Sequence, residues 1–526
     1  MDTYDYVIVG AGSAGCVLAD RLSADPRTSV LLIEAGGSDR DPKVKIPAAF
    51  PQQFRTKIDW DYNSDPEPGC DNRSLYIPRG KMLGGSSSMN AMLYVRGHRA
   101  DYDGWRDQGC EGWGWDRVLP WFIHSEHREG AHSRLHGTGG PLNVADERSP
   151  RALTDRMIRT AIELGFPLDD EYNDGDPNGI SPVQVTQKNG RRWSSADAFL
   201  RRALKRANLT VETHSMALEI KLEGRRAAGI SYRKRRSNRF ARANREVILA
   251  AGSIGSPQLL MLSGIGPAEA LRAVGVQSRV DLPGVGQNLQ DHPYLVCVWD
   301  STKGGSLLGA EKPKAMAEFL LRRSGPLTST AAEAFLFTES KEGLPAPDLQ
   351  LHLAPCYFVQ NGFEEYTEEH AFTMGPVLIA PKARGEIKLR SSDPAEKPSI
   401  LGNHLTEPDD LAAMVEGVRI AIGLTETGPL AEATGRRIYP PPGVGDSDAE
   451  LEADIRKRVE LLYHPVGTCK MGTGDDAVVD PELRVHGVKG LRVIDASIMP
   501  TITRGNTNAP TIMIAEKGVA MVRAAD

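Results

Sequence analysis

A histidine beside a carboxamide can take the proton of a hydroxyl group. Tyr463-His464-Pro465-Val466-Gly467-Thr468 and Gly505-Asn506-Thr507-Asn508-Ala509-Pro510 supply both residue types near one end of the 526-residue chain. An unperturbed imidazole titrates at about 6.5, near working pH, so it suits a general base. An amide can donate to the same oxygen and hold it in place. On residue type alone, His464 also reads as a satisfied histidine in a Gly/Pro turn. Asn508 also reads as a turn residue or cap, because a helix is expected from Thr511 to Ala515 after Pro510. Near the other end stands Gly10-Ala11-Gly12-Ser13-Ala14-Gly15, whose spacing suits a pyrophosphate.

The elements around the glycines complete that second site. Tyr6 to Val9 is a short β-branched apolar run, expected as a buried parallel strand. Val17, Leu18 and Leu22 then recur at helical spacing. Val30 to Ile33 reads as the next strand and ends in Glu34. In such a unit the first glycine makes the turn, the second admits the phosphates and the third lets helix and strand pack closely. The acid accepts from a ribose hydroxyl. NAD and FAD fit this segment equally. Two further stretches bear on the choice: the Gly/Ser loop from Arg79 to Asn90, and Val247 to Ser253 running on to Gly266. Backbone amides of such loops can wrap an extended cofactor.

Bulk properties exclude several classes. A net charge of −6 and a pI near 6.1 argue against nucleic acid as a partner. No apolar run reaches the ~18 residues of a spanning helix. The chain enters a strand at once, which leaves no room for a signal peptide and predicts a cytoplasmic location. Cys16, Cys70, Cys110, Cys297, Cys356 and Cys469 are scattered without a Cys-x-x-Cys pair, so neither a disulfide framework nor a metal site is expected. His124, His127, His132 and His136 cluster in a loop-like stretch without ligand spacing.

Taken together, the segments resemble the glucose–methanol–choline (GMC) oxidoreductases. The resemblance rests on Gly10–Gly15, Gly80–Asn90, Gly252–Gly266, Pro283–His292, Tyr463–Gly472 and Val493–Pro500, and so covers nearly the whole chain. Gln184–Ser195 and Tyr463–Gly472 are similar to the bacterial choline dehydrogenase and medium-chain alcohol dehydrogenase branch. The resemblance implies a Rossmann-like α/β FAD-binding domain from residues 1–155, 210–290 and 480–526. It implies an α+β substrate domain on an antiparallel sheet from residues 156–209 and 291–479. It implies FAD contacts at Gly10, Gly12, Ser13, Ala14, Gly15, Glu34 and Ala35, and at Met82, Leu83, Gly84, Ser87, Asn90, Ala91 and Met92. Further contacts are expected at Ala217, Ala251, Gly252, Asp495, Ala496, Asn508 and Ala509. For Asp495 a bond to the ribityl chain and plain N-capping both remain open.

By the same resemblance His464 is the base and Asn508 its partner on the alcohol oxygen, with hydride passing to flavin N5. Tyr463 and Glu333 are expected in the substrate site. Met89 stands where some choline oxidases carry a flavin-bonded histidine, so the FAD is expected to be non-covalent. Ala331-Ala332 precedes Glu333 and offers no aromatic face to a quaternary ammonium. The expected reaction is therefore oxidation of a neutral primary alcohol to an aldehyde, with a quinone or other carrier as electron acceptor. Any membrane contact would be peripheral, at the inner membrane face. An oxidase of aryl or furanic alcohols that makes peroxide, and a choline dehydrogenase, are the alternatives. A lyase, a photoenzyme or a non-catalytic scaffold fits poorly with an intact histidine and asparagine.

Periodicity adds a helix over Leu153–Leu164 and strands at Leu209–Thr213 and Ala217–Ile220. It predicts half-exposed strands at Leu349–Leu353 and Gly385–Leu389, and amphipathic helices at Asp409–Gly423 and Asp448–Leu462. The basic run at Arg233–Arg236 reads as a solvated hairpin face.

Overall fold

The structure is a computed structural model and describes residues 2–130, 133–364, 366, 369–445 and 447–525. Its first sheet grows from the dinucleotide unit. Strand β1 (Asp2–Val9), helix α1 (Ser13–Leu22) and strand β2 (Val30–Ile33) follow in order, and β1 pairs parallel with β2. Both strands are apolar and β-branched where they are buried, as a strand covered on both faces requires. The chain then leaves this sheet and returns far downstream. Leu209–Glu212 pairs parallel with β2, Ser237–Leu249 parallel with β1, and Leu491–Val493 parallel with the end of Ser237–Leu249.

The sheet is mixed rather than wholly parallel. Ser215–Glu223 and Arg226–Lys234 join it antiparallel and extend it beyond Ser237–Leu249. The basic run sits at the turn between Lys234 and Ser237, and Lys234 pairs with Glu212.

The second sheet has eight strands, all antiparallel. Its path runs Thr434–Tyr439, Cys297–Ser301, Ala371–Leu378, Leu349–Ala354, Ala334–Thr338 and Gly179–Pro182, with Pro293–Tyr294 and Glu460–Leu461 at the side. Leu349–Ala354 is buried along its whole length rather than half-exposed. Leu349, Leu351 and Leu353 pack in the core with Leu411, Met414 and Val415 of the helix Pro408–Gly423. The alternate residues His352 and Ala354 face an internal cavity. The strand does alternate, but its polar side meets a cavity, not bulk water. Gly385–Lys388 belongs instead to a separate three-stranded sheet with Gln287–Leu289 and Ser399–Leu401.

Helix Ala152–Glu163 forms where expected. Helix Asp448–Arg458 ends before Leu462. Val459 leaves helical geometry at ψ 140°, and Glu460–Leu461 joins the edge of the large sheet. That break delivers the next residues, Tyr463 and His464, to the cavity. No helix among the described residues is long and apolar enough to cross a membrane.

Candidate active site

One cavity joins the two sheets. At one end three helices begin: α1 after Gly12, Gly252–Leu262 after Ala251, and Asn508–Ala524 after Thr507. Gly12, Ser13, Gly252, Thr507 and Asn508 all line that end, so unsatisfied amides and positive dipole ends face it. A Cβ on Gly15 would lie 1.8 Å from the carbonyl oxygen of Gly10, so only glycine lets α1 pack against β1. A Cβ on Gly12 would meet nothing within 4 Å, so the space before it is open to a phosphate. The buried hydroxyl of Ser253, also on the cavity wall, has no partner. Glu34 lines the cavity at the end of β2. Its carboxylate accepts from the amides of Ala11 (2.8 Å) and Gly36 (2.7 Å), and burial raises its pKa. These groups fit a dinucleotide: amides for the pyrophosphate, an acid for the ribose, and a free hydroxyl.

Most of the expected cofactor residues meet there. Gly10, Gly12, Ser13, Ala14, Glu34, Ala35, Asn90, Ala91, Met92, Ala217, Ala251, Gly252, Asp495, Ala496 and Asn508 line the cavity. Gly15, Met82, Leu83, Gly84, Ser87 and Ala509 do not. Met82 packs beside Met89 and Phe50 in a small core, and the Ser87 hydroxyl donates to the carbonyl of Gly84 at 2.6 Å. The Gly84 amide donates to the Ala11 carbonyl at 2.7 Å, which locks the Gly/Ser loop onto the glycine turn. These residues support the cleft from behind, while Gly85 and Ser86 of the same loop face it. Asp495 lines the cleft, yet each carboxylate oxygen already takes two donors. One oxygen receives the Gly252 amide (2.9 Å) and the Ser256 hydroxyl (2.6 Å); the other receives the amide and hydroxyl of Ser497. Capping therefore accounts for its carboxylate.

The other end holds His464. The ring sits between two partners. Its Nδ1 is 3.0 Å from Nδ1 of His292, and its Nε2 is 3.3 Å from the amide nitrogen of Asn506. Asn506 comes from the same short segment as Asn508, but the two point to different work. Asn508 accepts a hydrogen bond from the Ser13 hydroxyl at 2.7 Å, tying two helix starts together in the dinucleotide cleft. The structure places Asn506, and not the expected Asn508, beside His464. The turn between Gly505 and the helix separates their directions, which residue type alone does not reveal.

The contacts fix the tautomer. An amide nitrogen only donates, so Nε2 of His464 must accept, and Nδ1 must carry the proton and donate to His292. One oxygen of Asp291 accepts the backbone N–H of His464 and of His292, both at 2.7 Å, and so clamps the two residues together. Burial, with His292, Arg79 and His352 nearby, holds the His464 imidazole well below the usual histidine range. Burial, then His352, pushes His292 down to about 3, and burial pushes Asp291 up to about 7. His464 is thus neutral, and its Nε2 lone pair, which accepts the Asn506 amide proton here, lies on the cavity side. His292, Asp291 and Asn506 carry no special sequence signal beyond their place in the quoted segments, and they were not expected here.

Tyr463 lines this end as expected. Its φ of 66° makes the sharp turn before His464, and its hydroxyl donates to Asn361. Phe50, Phe54, Tyr294 and Phe358, from distant segments, complete largely aromatic walls. Glu333 does not line the cavity. It is 1% exposed, and its carboxylate accepts from the Arg151 amide (2.6 Å), the Thr154 hydroxyl (2.6 Å) and the Ser329 hydroxyl (2.7 Å). It holds the start of the helix Ala152–Glu163 from outside the cavity. The lining carboxylates are Glu34 and Asp495, both at the cofactor end.

The histidine cluster resolves into separate roles. His124 ends the helix Trp115–Ser125 and His127 lies in the strand Glu126–Arg128. His136 bridges Glu126 (3.1 Å) and Glu171 (2.6 Å), and His132 lies outside the described residues.

Family models described as GMC oxidoreductase match residues 4–294 and 381–515. The chain is 41% identical to the alcohol dehydrogenase [acceptor] of Pseudomonas putida, over 99% of this chain and 95% of that protein. It is 43% identical to the oxygen-dependent choline dehydrogenase of Brucella ovis, over 98% and 94%. Among solved structures, pyridoxine 4-oxidase from Mesorbium loti superposes with a TM-score of 0.90 at 33% identity, covering 98% of each chain.

Proposed function

This chain belongs to the GMC oxidoreductase family, and from that premise we propose that it oxidises a neutral primary alcohol to the aldehyde with FAD as its cofactor. The observation that carries this reading is the pair of His464 Nε2 and the Asn506 amide, 3.3 Å apart at the end of the cavity that also holds the dinucleotide cleft. A neutral imidazole nitrogen beside an amide donor suits a hydroxyl substrate. Bound FAD supplies the acceptor for the hydride that leaves the alcohol carbon.

The chain's own residues do the rest. His464 Nε2 takes the hydroxyl proton. The Asn506 amide donates to the same oxygen and steadies its developing charge. The ring cannot flip freely, because its Nδ1–H is held by His292 and its backbone by Asp291. As Nε2 gains a proton the alcohol loses one proton and one hydride, and the aldehyde remains. The start of the helix Asn508–Ala524 presents its positive end to the cleft and favours negative charge there. The aromatic walls keep water from the reacting carbon.

One feature favours a neutral substrate over choline. No carboxylate lines the substrate end among the described residues, and Glu333 is spent on a helix cap. The aromatic faces of Phe50, Phe54, Tyr294 and Phe358 suit an alkyl or aryl chain and would equally accept a quaternary ammonium by cation–π contact, so the choice rests on the missing carboxylate. For the acceptor, the name of the Pseudomonas putida relative supports a carrier other than oxygen, while the names of the Brucella ovis and Mesorbium loti proteins support oxygen. We adopt the carrier reading, a quinone or an equivalent. The test is a panel of medium-chain, benzylic and quaternary-ammonium alcohols, each assayed with a quinone analogue and with oxygen. Activity on neutral alcohols supports the reading; a clear preference for choline, or no alcohol activity, removes it.

A further inference from the structure

The helix Pro313–Arg322 turns apolar side chains to solvent. Its inner face is small: Ala315 and Phe319, with Leu327, pack against Ile46 and Ala48. On the outside Leu321 is 84% exposed, Leu320 55% and Met316 37%, with Leu308 at 38% just before the helix. Four of the nine large exposed hydrophobics among the described residues thus fall within 14 positions, too many for scattered surface residues. Met316 and Leu320 lie one turn apart and form a stripe.

Basic residues frame that stripe. Between residues 303 and 323 stand Lys303, Lys312, Lys314, Arg322 and Arg323 against Glu311 and Glu318. Lys312, Lys314 and Arg322 are exposed and form no ion pair among the described residues. Arg323 lies over the Phe319 ring at 5.4 Å and ends the helix with a φ of 55°. The chain as a whole carries −6, so a cationic, apolar surface is a local exception.

We propose that this helix docks the protein on an anionic lipid bilayer. Exposed leucines between lysines and arginines match the boundary between negative headgroups and acyl chains. A second copy of the chain fits less well, since a two-fold contact would set the basic ends of one helix near those of the other. The docking surface also sits over the cavity wall. Ile46 and Ala48 lead into the segment that carries Phe50 and Phe54, and the Leu307 amide donates to the Pro355 carbonyl at 2.7 Å. Resting on the alcohol-oxidation reading, docking would bring the cavity close to apolar alcohols or carriers dissolved in the membrane.

The experiment is sedimentation of the FAD-loaded protein with vesicles of phosphatidylglycerol or of phosphatidylcholine. Binding is expected to the first and to be at least about tenfold weaker to the second. Leu320→Asp with Leu321→Asp, and separately Lys312→Glu with Lys314→Glu and Arg322→Glu, should each weaken binding by about tenfold or more. Both variants should keep their FAD and their turnover with a soluble artificial acceptor. No binding of the unaltered protein, or unchanged binding of both variants, overturns the proposal. So does a dimer in light scattering that the leucine variant dissociates. Lack of alcohol turnover would remove the proposed function and leave the vesicle result to be judged alone.

Discussion

The Nδ1 atoms of His464 and His292 stand 3.0 Å apart with their rings nearly perpendicular, at 87°. One ring must donate and the other accept, and the Asn506 amide on the far side of His464 decides which. The nitrogen that carries the lone pair is therefore set by His292 and Asn506. His292→Ala should lower kcat by roughly ten- to hundredfold while leaving KM and FAD content near their starting values, because the loss lies in tautomer and orientation. A KM increase with unchanged kcat would contradict this positioning role.

The two asparagines separate by readout. Asn506→Ala should lose roughly ten- to hundredfold in turnover, the scale of a hydrogen bond to a charged oxygen, with FAD retained. Asn508→Ala removes the partner of the Ser13 hydroxyl and should weaken FAD retention severalfold, with smaller change in the turnover of loaded enzyme. The reverse pattern would restore Asn508 as the residue at the alcohol oxygen.

All flavin should leave the protein on acid precipitation, as FAD. Met89 is 3% exposed within a small apolar core and offers no nucleophile. Yellow colour retained in the pellet would refute this.

His136 supplies a pH test of stability. Burial lowers its pKa, but hydrogen bonds to Glu126 and Glu171 and their charges outweigh that and raise it to about 9. A raised folded pKa means that the protonated ring stabilises the fold fully below its ordinary value of about 6.5, and that this contribution fades as pH rises through 9. The gap in Tm between the unaltered protein and His136→Gln should therefore be widest near about pH 6 and narrow above about pH 9. A gap independent of pH would sink the assignment.

The sequence made the dinucleotide unit plain because its signal is local. Glycine spacing, two β-branched strands and Glu34 lie within 34 residues, and each has one physical reason to be there. The substrate end was legible only in part. His464 stood out by its segment. Asn506 and Asn508 share one segment, and only the turn before the helix separates them. His292 and Asp291 reach His464 from 172 and 173 positions away. The surroundings of Glu333 are hidden for the same reason: its carboxylate is claimed by Arg151 and Thr154, which no local pattern links to it. The buried strand Leu349–Ala354 shows the limit of periodicity, since a polar face toward a cavity and one toward solvent read alike.

In the proposed reaction His464 draws the hydroxyl proton from an alcohol so that hydride can leave to bound FAD. The most direct measurement mixes FAD-loaded protein with a medium-chain primary alcohol without oxygen and follows the loss of oxidised flavin absorbance. The unaltered protein should bleach in a single turnover, and His464→Ala should bleach about two to four orders of magnitude more slowly at equal FAD content. An unaltered protein that no primary alcohol bleaches, or a His464→Ala variant that bleaches at the unaltered rate, would contradict the account.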